Sequence, residues 1–413
     1  MANNNKHTGP NVPSLRFPEF SGEWESCTFG DVTNNFSRRN KERIQYPMFS
    51  VTNNRGFVPQ SEQFEDREMV GEDIQAYKVI EKGDFAYNPA RINVGSIAKY
   101  EGNEKCMISS LYVCFKVIDS IDRNWFMHLL KTPKMNFYYN LNGEGGVRVY
   151  LFYPNFARIR SSYPSLVEQK KIAAMLSLID ERIATQIKII EGLTTLRSAL
   201  YDSMFCLPEQ ETPKIRIPSF TENWQQCQLN EICNRKTTRN RDNTYSRVLT
   251  IAAQYGLVDQ ESFFKKRIAS ENLETYLCLE KGDFAYNKSY SSDYPWGAVK
   301  RLTDFENGII SPLYICFTPN PEVVDSDYLA HYFESTKWHS GISDISGEGA
   351  RNHGLLNMSV IDYFNTLHRF PSLEEQKAIA QRLNAIDNKL RSEQEYMELL
   401  NRQKSSLLNQ MFI

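Results

Sequence analysis

The pattern of apolar positions divides the chain into segments of two kinds. In two stretches, 165–205 and 372–413, apolar residues recur at alternating steps of four and three, without internal proline and with a single glycine, Gly192. This spacing is the seam of a coiled coil. Other stretches carry short aromatic and β-branched runs, such as Leu111–Phe115 and Leu313–Phe317, between Gly, Asn and Pro residues, and these runs predict short strands. The pattern therefore predicts two mixed α/β domains in tandem, each followed by a long helix.

The seams of the two predicted helices match each other position by position. The first consists of Ile172, Leu176, Ile179, Ile183, Ile190, Leu193, Leu200 and Met204. The second consists of Ile379, Leu383, Ile386, Leu390, Met397, Leu400, Leu407 and Met411. Two seam positions are polar in both helices, because Gln186 corresponds to Glu393 and Arg197 corresponds to Lys404.

These matched polar positions favour one arrangement of the helices. If the helices pair antiparallel, with facing residue numbers that sum to 590, Arg197 faces Glu393. In the same register Gln186 faces Lys404. A parallel pairing would instead stack Arg197 on Lys404, a repulsive contact. A heptad seam is also typical of oligomerisation, but the matched polar positions predict an antiparallel coiled coil within the chain, with the globular domains at its two ends around a pseudo-twofold axis.

Each predicted helix begins with the signature of a capping box. Ser165 with Glu168, and Ser372 with Glu375, have the spacing at which the two side chains satisfy each other's backbone amides. We therefore expect both helices to start at these serines.

The chain is a tandem duplication. Residues Glu81–Asn88 recur without change as Glu280–Asn287, an offset of 199. Similar offsets align Arg16, Pro18, Phe20, Trp24, Ile108–Phe115 and Pro164–Leu166 with Arg216, Pro218, Phe220, Trp224, Ile310–Phe317 and Pro371–Leu373. A period of this length indicates a duplicated domain pair, unlike the short period of a solenoid. The predicted boundaries are 1–160 for the first globular domain, 161–206 for the first helix, 207–369 for the second globular domain and 370–413 for the second helix.

Composition restricts the class of protein. The 413 residues have a formal net charge of −2, which by itself does not favour nucleic-acid binding. No apolar run reaches the roughly 18 residues of a membrane span, and no charged and apolar signal pattern precedes Pro10. The eight cysteines form no C-x-x-C pair, so we expect reduced, buried thiols and a cytoplasmic location.

Positive charge is nevertheless concentrated at the same place in each repeat. The basic residues of the first cluster are Arg38, Arg39, Lys41, Arg43 and Arg55, and those of the second are Arg235, Lys236, Arg239, Arg241 and Arg247. Lysine and arginine are the usual phosphate contacts, and arginine also reads guanine. A basic cluster can equally be a solvated surface, but its recurrence makes these ten residues candidates for DNA binding.

A second candidate surface follows the constant octets. The segment after Asn88 carries Arg91 and Asn93, whereas the segment after Asn287 carries Lys288 and Tyr290. The scaffold is kept while the loop changes, so these four residues are candidates for base reading. We expect most of the octet itself to be structural, with Gly83 needed for its backbone geometry.

A third pair of segments could face DNA or could be simple turns. These are the Gly-Glu-Gly sequences at 143–145 and 347–349, which precede Arg148 and Arg351.

Several motifs together resemble the specificity subunits of type I restriction-modification systems. They are Leu15–Phe20 followed by Trp24, the Lys-Gly-Asp octets, and the Pro-Ser-Leu-x-Glu-Gln-Lys sequences that begin at Pro164 and Pro371. The resemblance covers nearly the whole chain. It implies two target recognition domains, each of which reads one half of a split, asymmetric DNA site, with the long helices setting their separation.

The same resemblance implies partners and cofactors. It implies double-stranded DNA, two methyltransferase subunits and two restriction subunits, with S-adenosylmethionine, ATP and Mg²⁺ used by those subunits and no cofactor in this chain.

The sequence predicts a protein without catalytic activity. The Asn-Pro-Pro-aromatic loop of an adenine methyltransferase fails at Ala90 in the first repeat and at Lys288 in the second. The sequence has no G-x-x-x-x-G-K-[ST] phosphate loop, and its histidines lack metal-ligand spacing. A protein-binding scaffold without a DNA role, which the near-neutral charge favours, is the alternative.

Overall fold

A computed structural model describes residues 11–63, 74–145, 149–266, 272–346, 351–352 and 354–413. By contacts the chain forms two compact units, Met1–Ile187 with Glu395–Ile413, and Lys188–Gln394. Each long helix therefore contributes residues to both units. The reason is that each half of a long helix packs on the nearer globular core.

The first unit contains ten short strands and five short helices among its described residues, followed by most of a long helix. The strands are β1 (Glu25–Thr28), β2 (Thr33–Phe36), β3 (Phe49–Thr52), β4 (Gly56–Pro59), β5 (Lys78–Ile80), β6 (Phe85–Tyr87), β7 (Ile97–Lys99), β8 (Cys106–Ile108), β9 (Val113–Val117) and β10 (Arg160–Tyr163). The helices are α1 (Phe29–Val32), α2 (Gln60–Gln63), α3 (Arg123–Leu130), α4 (Pro133–Asn142), α5 (Tyr153–Ala157) and α6 (Leu166–Met204).

The second unit repeats this order of elements with small changes. Its strands are β11 (Gln225–Gln228), β12 (Cys233–Arg235), β13 (Val248–Ala252), β14 (Gly256–Asp259), β15 (Leu277–Glu280), β16 (Phe284–Asn287), β17 (Ala298–Arg301), β18 (Asn307–Ile310), β19 (Ile315–Pro319), β20 (Arg351–Asn352), β21 (Leu355–Leu356) and β22 (Leu367–Phe370). Its helices are α7 (Leu229–Ile232), α8 (Gln260–Phe264), α9 (Ser326–Glu334), α10 (His339–Ile345), α11 (Val360–Phe364) and α12 (Leu373–Met411). The mixed α/β class and the two long helices are confirmed.

The constant octet supplies a central strand of each core. The main sheets have the orders β2-β9-β6-β7 and β12-β19-β16-β17. Phe85 and Phe284 are fully buried and stack on Phe115 and Phe317, with ring centroids 5.1 and 5.5 Å apart. Burial of such rings is a large part of core stability, which explains why the octet is unchanged in both repeats.

The expectation for the octet glycine is confirmed. Gly83 has φ of 86° and its counterpart Gly282 has φ of 95°, a region that residues with a side chain rarely adopt. Just after each glycine, the buried Asp84 and Asp283 accept a backbone hydrogen bond from Glu81 and Glu280. The turn before the central strand is therefore fixed by both residues.

Both long helices begin directly after the predicted serines, at Leu166 and Leu373, but the glutamates of the capping-box pattern bind arginines. The Glu168 amide donates to Ser165 Oγ at 3.4 Å, but the Glu168 carboxylate accepts two hydrogen bonds of 2.8 Å from Arg16. In the second unit Arg216 binds Glu375 in the same two-point manner, at 2.9 and 2.7 Å. Both carboxylates are buried, so each glutamate ties its helix to the first segment of its globular domain.

Within the first unit the helical segments run antiparallel. Ile172 and Leu176 share a buried cluster with Leu408 and Met411. One turn further along α6, Asp180 forms an ion pair with Lys404 at 2.5 Å. Residues with rising numbers on α6 therefore lie near residues with falling numbers on α12.

The second unit has the same antiparallel arrangement. Tyr201 and Met204 share a buried cluster with Ile379 and Leu383. Arg197 Nη1 lies 3.4 Å from Asp387 Oδ1. The pairing of segments of α6 and α12 in opposite directions agrees with the prediction.

The register differs from the predicted one. The ion pairs Arg197 with Asp387 and Lys404 with Asp180 both sum to 584 instead of 590. Glu393, the predicted partner of Arg197, forms an ion pair with Lys389 of its own helix. A heptad seam matches apolar layers equally well after a shift of seven residues. Such a shift lowers the sum from 590 to about 583, within one residue of the ion pairs, so the seam alone did not define the register.

Candidate nucleic-acid interface

A buried asparagine organises the basic loop of each unit. Asn40 is 3% exposed, and its amide donates to the Ile44 carbonyl at 2.8 Å and accepts from the Ile44 amide at 3.1 Å. Asn240 is 2% exposed and makes the same pair of bonds with Tyr245, at 2.9 and 3.0 Å. Both loops are therefore closed by a side chain that replaces a backbone pairing.

The backbone of these loops is matched as well. Arg43 and Asn243 have φ of 53° and 49°, a left-handed conformation at equivalent positions. Such a conformation is uncommon for residues with a side chain, so the surrounding hydrogen bonds must hold it. Sequence reasoning missed the two asparagines, although their offset of 200 within the repeat was a usable signal.

The loops present basic side chains to solvent. Arg39, Lys41 and Arg43 of the first unit are exposed, as are Arg239 and Arg241 of the second. Among the residues that the structure describes, no carboxylate lies within 4.0 Å of any of these five cations. Exposed cations on a preorganised loop are suited to phosphate contacts because little entropy is lost when they bind.

The basic loops are attached to the edge of a strand. Arg39 forms a β-bridge with Lys78 of β5, and Arg239 forms the equivalent bridge with Leu277 of β15. One residue further along each strand, the Val79 amide donates to the Arg38 carbonyl at 2.7 Å, and the Cys278 amide donates to the Thr238 carbonyl at 2.9 Å. The cations therefore lie on a rigid extension of the sheet.

Two members of the basic clusters bind the acidic residues of the constant octets. Arg38 Nη1 lies 3.0 Å from Glu81 and 3.3 Å from Asp84. A hydrogen bond from Lys105 and the charge of Arg38 lower the pKa of Glu81 below its ordinary value. Arg38 is therefore engaged in attaching the basic segment to the constant octet.

Lys236 has the corresponding role in the second unit. Its Nζ lies 3.0 Å from Asp283 and 3.7 Å from Glu280. Burial opposes the charge of Lys236, but the hydrogen bond and the charge of Asp283 outweigh it and raise the pKa above its ordinary value. The two acids of each octet thus hold one cation of the adjacent cluster.

The remaining members of the clusters have other surroundings. Arg55 pairs with Glu62 at 2.7 Å, with both side chains largely exposed. Arg247 lies over the Phe305 ring at 4.2 Å from its centroid. Arg235 is exposed in β12, where it pairs with Phe317 of β19.

The variable loop of the first unit borders a polar pocket. Arg91 is exposed, and Asn93 Nδ2 donates to Asn140 Oδ1 at 3.0 Å. Arg91 also lines a pocket of about 500 Å³. The other residues that line it include Thr52, Asn53, Asn54, Arg55, Asn88 and Tyr112. Most of these side chains offer hydrogen-bond donors, as a surface that reads base edges requires.

The variable loop of the second unit is supported differently. The Lys288 carbonyl accepts from the Leu356 amide at 2.9 Å, and the Tyr290 amide donates to Gly354 at 3.2 Å. Tyr290 also packs on the main core of the unit. The two loops therefore differ in conformation as well as in sequence.

The Gly-Glu-Gly segments receive only partial description. Glu144 pairs with Tyr150 in an isolated bridge, and Arg351 pairs with Leu356 in the β20-β21 ladder. Arg148 and residues 347–349 lie outside the described residues.

The eight cysteines of the chain are free thiols, and six of them are buried. Burial raises the pKa of Cys114 to about 12, which keeps its thiol protonated. Within the described ranges, no group of three or more His, Cys, Asp or Glu side chains is placed to hold a metal ion.

No helix in the part of the chain that the structure describes has the length and apolar character needed to cross a membrane.

Two curated proteins are similar in sequence to this chain. Over 422 residues, 97% of this chain and 95% of the relative, it is 22% identical to the putative type I restriction enzyme MjaX specificity subunit of Methanocaldococcus jannaschii. The chain is similar in sequence to type I restriction specificity subunits. The MjaVIII specificity subunit from the same organism is 25% identical over 272 residues, which cover 62% of this chain and 61% of that relative's length. No family model matches the chain.

Solved structures of specificity subunits share the fold. The S subunit of the type I restriction-modification system from M. genitalium aligns with a TM-score of 0.58 over 97% of this chain and 99% of its own, at 15% identity. A chain from work on complex assembly and conformational transition of the type I R-M system aligns with a TM-score of 0.55 over 94% and 96%, at 14% identity. The resemblance found in the motifs therefore extends to the relatives and to the fold.

Proposed function

We propose that this chain is the sequence-specific DNA-binding subunit of a type I restriction-modification complex and has no catalytic role itself. The observation that carries the proposal is the recurrence of a preorganised loop with exposed cations, Arg39 and Lys41 in one unit and Arg239 and Arg241 in the other. Homology to specificity subunits supports the same function. A protein-binding scaffold would not need two such cationic loops.

Each globular domain reads one half of a bipartite, asymmetric site. The two basic loops are alike and suit contacts to phosphate, which is the same in any sequence. The loops after the octets, with Arg91 and Asn93 in one domain and Lys288 and Tyr290 in the other, are unlike. Two different base-reading loops on two equivalent domains support recognition of two different half-sites.

The partners are double-stranded DNA, two methyltransferase subunits and two restriction subunits, and the complex works in the cytoplasm. The chain directs these subunits to adenine methylation and to restriction. S-adenosylmethionine, ATP and Mg²⁺ belong to the partner subunits, and this chain holds no cofactor.

Methylation mapping tests the proposal directly. Long-read sequencing would be applied to cells that carry the cognate methyltransferase subunit, with and without this chain. We expect a split, asymmetric motif with methylated adenines only when the chain is present. No new methylation, with the methyltransferase subunit expressed and bound, would favour the scaffold.

A domain exchange tests the division of labour. Replacing residues 1–160 by the first domain of another specificity subunit should change one half of the methylated motif and leave the other half intact. The matched control is replacement of residues 207–369, which should change the opposite half. A change of both halves in either chimera would contradict the modular division.

A further inference from the structure

An exposed leucine occupies the same turn in both repeats. Leu111 is 79% exposed and Leu313 is 72% exposed, a high exposure for large apolar side chains. Leu111 lies in the turn before β9, and Leu313 lies in the turn before β19. Apolar residues at the tips of turns expose area to water without stabilising the fold, so their recurrence calls for a function.

The turns that carry these leucines are held rigidly. Ser109 accepts the Leu111 amide on its hydroxyl at 3.3 Å and the Tyr112 amide on its carbonyl at 3.2 Å. Tyr112 is fixed in turn, because Lys78 Nζ donates to its carbonyl at 2.6 Å and the Val51 amide donates to its hydroxyl at 3.2 Å.

The second turn has the same construction. Ser311 accepts the amides of Leu313 and Tyr314 at 3.4 and 3.1 Å, and the Tyr314 hydroxyl lies 3.1 Å from Thr250 Oγ1. The leucine side chain is therefore presented from a fixed backbone in both units.

Strand register places each leucine beside the variable loop. Tyr87 pairs with Val113 in the β6-β9 ladder. One residue beyond this pair, Asn88 and Tyr112 line the same pocket, so the turn that carries Leu111 lies near the start of the variable loop. In the second unit Tyr286 pairs with Ile315 at the same end of the β16-β19 ladder, two residues before Lys288 and two residues after Leu313.

Cations border the leucine turn, which favours DNA over a protein partner. Arg91 is exposed and shares the pocket with Tyr112. Arg39 is exposed and bridges Lys78, whose side chain holds the turn. In the second unit Arg239 bridges Leu277, which packs in the same cluster as Tyr314.

The chemistry of the leucine restricts what it can contact on DNA. A phosphate group has no apolar surface for a leucine side chain to contact. The apolar parts of a base pair are the thymine methyl group and the faces of the bases. A methyl contact would require thymine at the same place in two half-sites that are read by unlike loops. Insertion between base pairs requires no particular base, and leucine is among the residues that proteins use for it.

We propose that Leu111 and Leu313 are wedges that enter a base step in each half-site and partly unstack it while the neighbouring variable loop reads the bases. This inference rests on the proposed DNA-binding function. It assigns the constant leucine to the deformation of DNA and leaves sequence choice to the loop beside it.

Fluorescence of 2-aminopurine tests the wedge. Duplexes that carry the motif found by methylation mapping would have single 2-aminopurine substitutions along each half-site. The full chain is used without methyltransferase subunits, because these extrude bases themselves. We expect a rise in fluorescence at one step of each half-site, abolished in one half by Leu111→Ala and in the other half by Leu313→Ala.

Matched variants separate the wedge from a general decrease in apolar surface. Leu141→Ala and Ile361→Ala remove side chains that are 66% and 71% exposed elsewhere in each unit, and both should keep the signal. Leu111→Met should retain it as well. Each wedge variant should bind DNA about tenfold more weakly, since alanine is too short to fill the unstacked step.

The outcomes distinguish this inference from the function on which it rests. Absence of motif-specific binding by the unaltered chain would overturn the DNA-binding proposal itself. Specific binding without a fluorescence change, or with a change that Leu111→Ala and Leu313→Ala leave intact, would overturn only the wedge. Weaker capture of methyltransferase subunits with unchanged DNA binding would also overturn it, and would assign the leucines to a protein interface.

Discussion

Arg197 Nη1 lies 3.4 Å from Asp387 Oδ1, and the equivalent contact in the other unit joins Lys404 to Asp180 at 2.5 Å. Both acids immediately follow a seam position in their helices, and both cations occupy the seam itself. The recurrence of this contact indicates that one register applies in both units.

A double-mutant cycle distinguishes this register from the one inferred from the seam. Arg197→Glu should destabilise the chain, and Asp387→Arg should partly restore stability, with a coupling of about 0.5 kcal/mol because the pair is partly exposed. Urea unfolding measures it. The matched cycle with Glu393→Arg should show weaker coupling, and stronger coupling there would restore the 590 register.

The buried ion pairs at the helix starts are expected to contribute much more. Arg16 and Glu168 have side chains that are 4% and 1% exposed, so Arg16→Ala leaves a buried carboxylate without its partner. We expect a decrease of about 3 to 5 kcal/mol in the free energy of unfolding. Lys170→Ala, at an exposed position of the same turn, is the control. Equal effects of the two variants would contradict the anchoring role.

Removal of the loop cations should change the salt dependence of DNA binding. Lys41→Ala with Arg43→Ala should lower the slope of log affinity against log salt concentration by about 0.9 for each phosphate that the loop no longer binds. Filter binding or fluorescence anisotropy at several salt concentrations measures the slope. Lys188→Ala, which removes an exposed cation from α6, should leave it unchanged. An unchanged slope in the double variant would exclude the loop from the interface.

Asn40 should maintain the conformation of the basic loop without contacting DNA. Asn40→Ala removes both hydrogen bonds to Ile44 and leaves backbone groups unpaired, at a cost of about 1 to 3 kcal/mol. DNA affinity should fall while the salt slope stays nearly constant, because the cations remain. Asn103→Ala is the control, since that side chain is exposed and is not part of the candidate interface. A fall in slope equal to that of the cation variants would contradict a purely positioning role.

His368 should make stability depend on pH. It is 2% exposed, with Nδ1 2.9 Å from the Tyr332 hydroxyl and Nε2 2.8 Å from Thr366 Oγ1. Thr366 donates its own proton to the Tyr363 carbonyl, so Nε2 carries the histidine proton and Nδ1 accepts from Tyr332. Burial lowers the pKa of His368 to about 3.

The sign of the effect follows from this depressed pKa. The unfolded state binds the proton below about pH 6.5 while the folded state does not. Stability should therefore be full above pH 7 and fall by about 1 to 2 kcal/mol at pH 5. Chemical unfolding at both pH values measures it, and His368→Asn should show a smaller decrease. An unchanged decrease in that variant would assign the pH dependence to other groups.

The sequence by itself determined the duplicated organisation. Identity of Glu81–Asn88 with Glu280–Asn287 and the long 3.5-residue apolar period are local signals, because each arises from one segment of chain. The constant octet was also interpreted correctly as scaffold, since a buried strand and a glycine with positive φ restrict residue choice position by position.

Only the tertiary structure decided which side chains meet. Arg38 and Lys236 look like the other cluster cations in sequence, yet they bind octet acids more than 40 residues away. The helix register was open because a seam repeats every seven residues, and ion pairs with Asp180 and Asp387 distinguish registers that apolar layers cannot. The sequence shows which residues recur. Which charged groups form ion pairs depends on distances between side chains, and those distances are set only when the chain has folded.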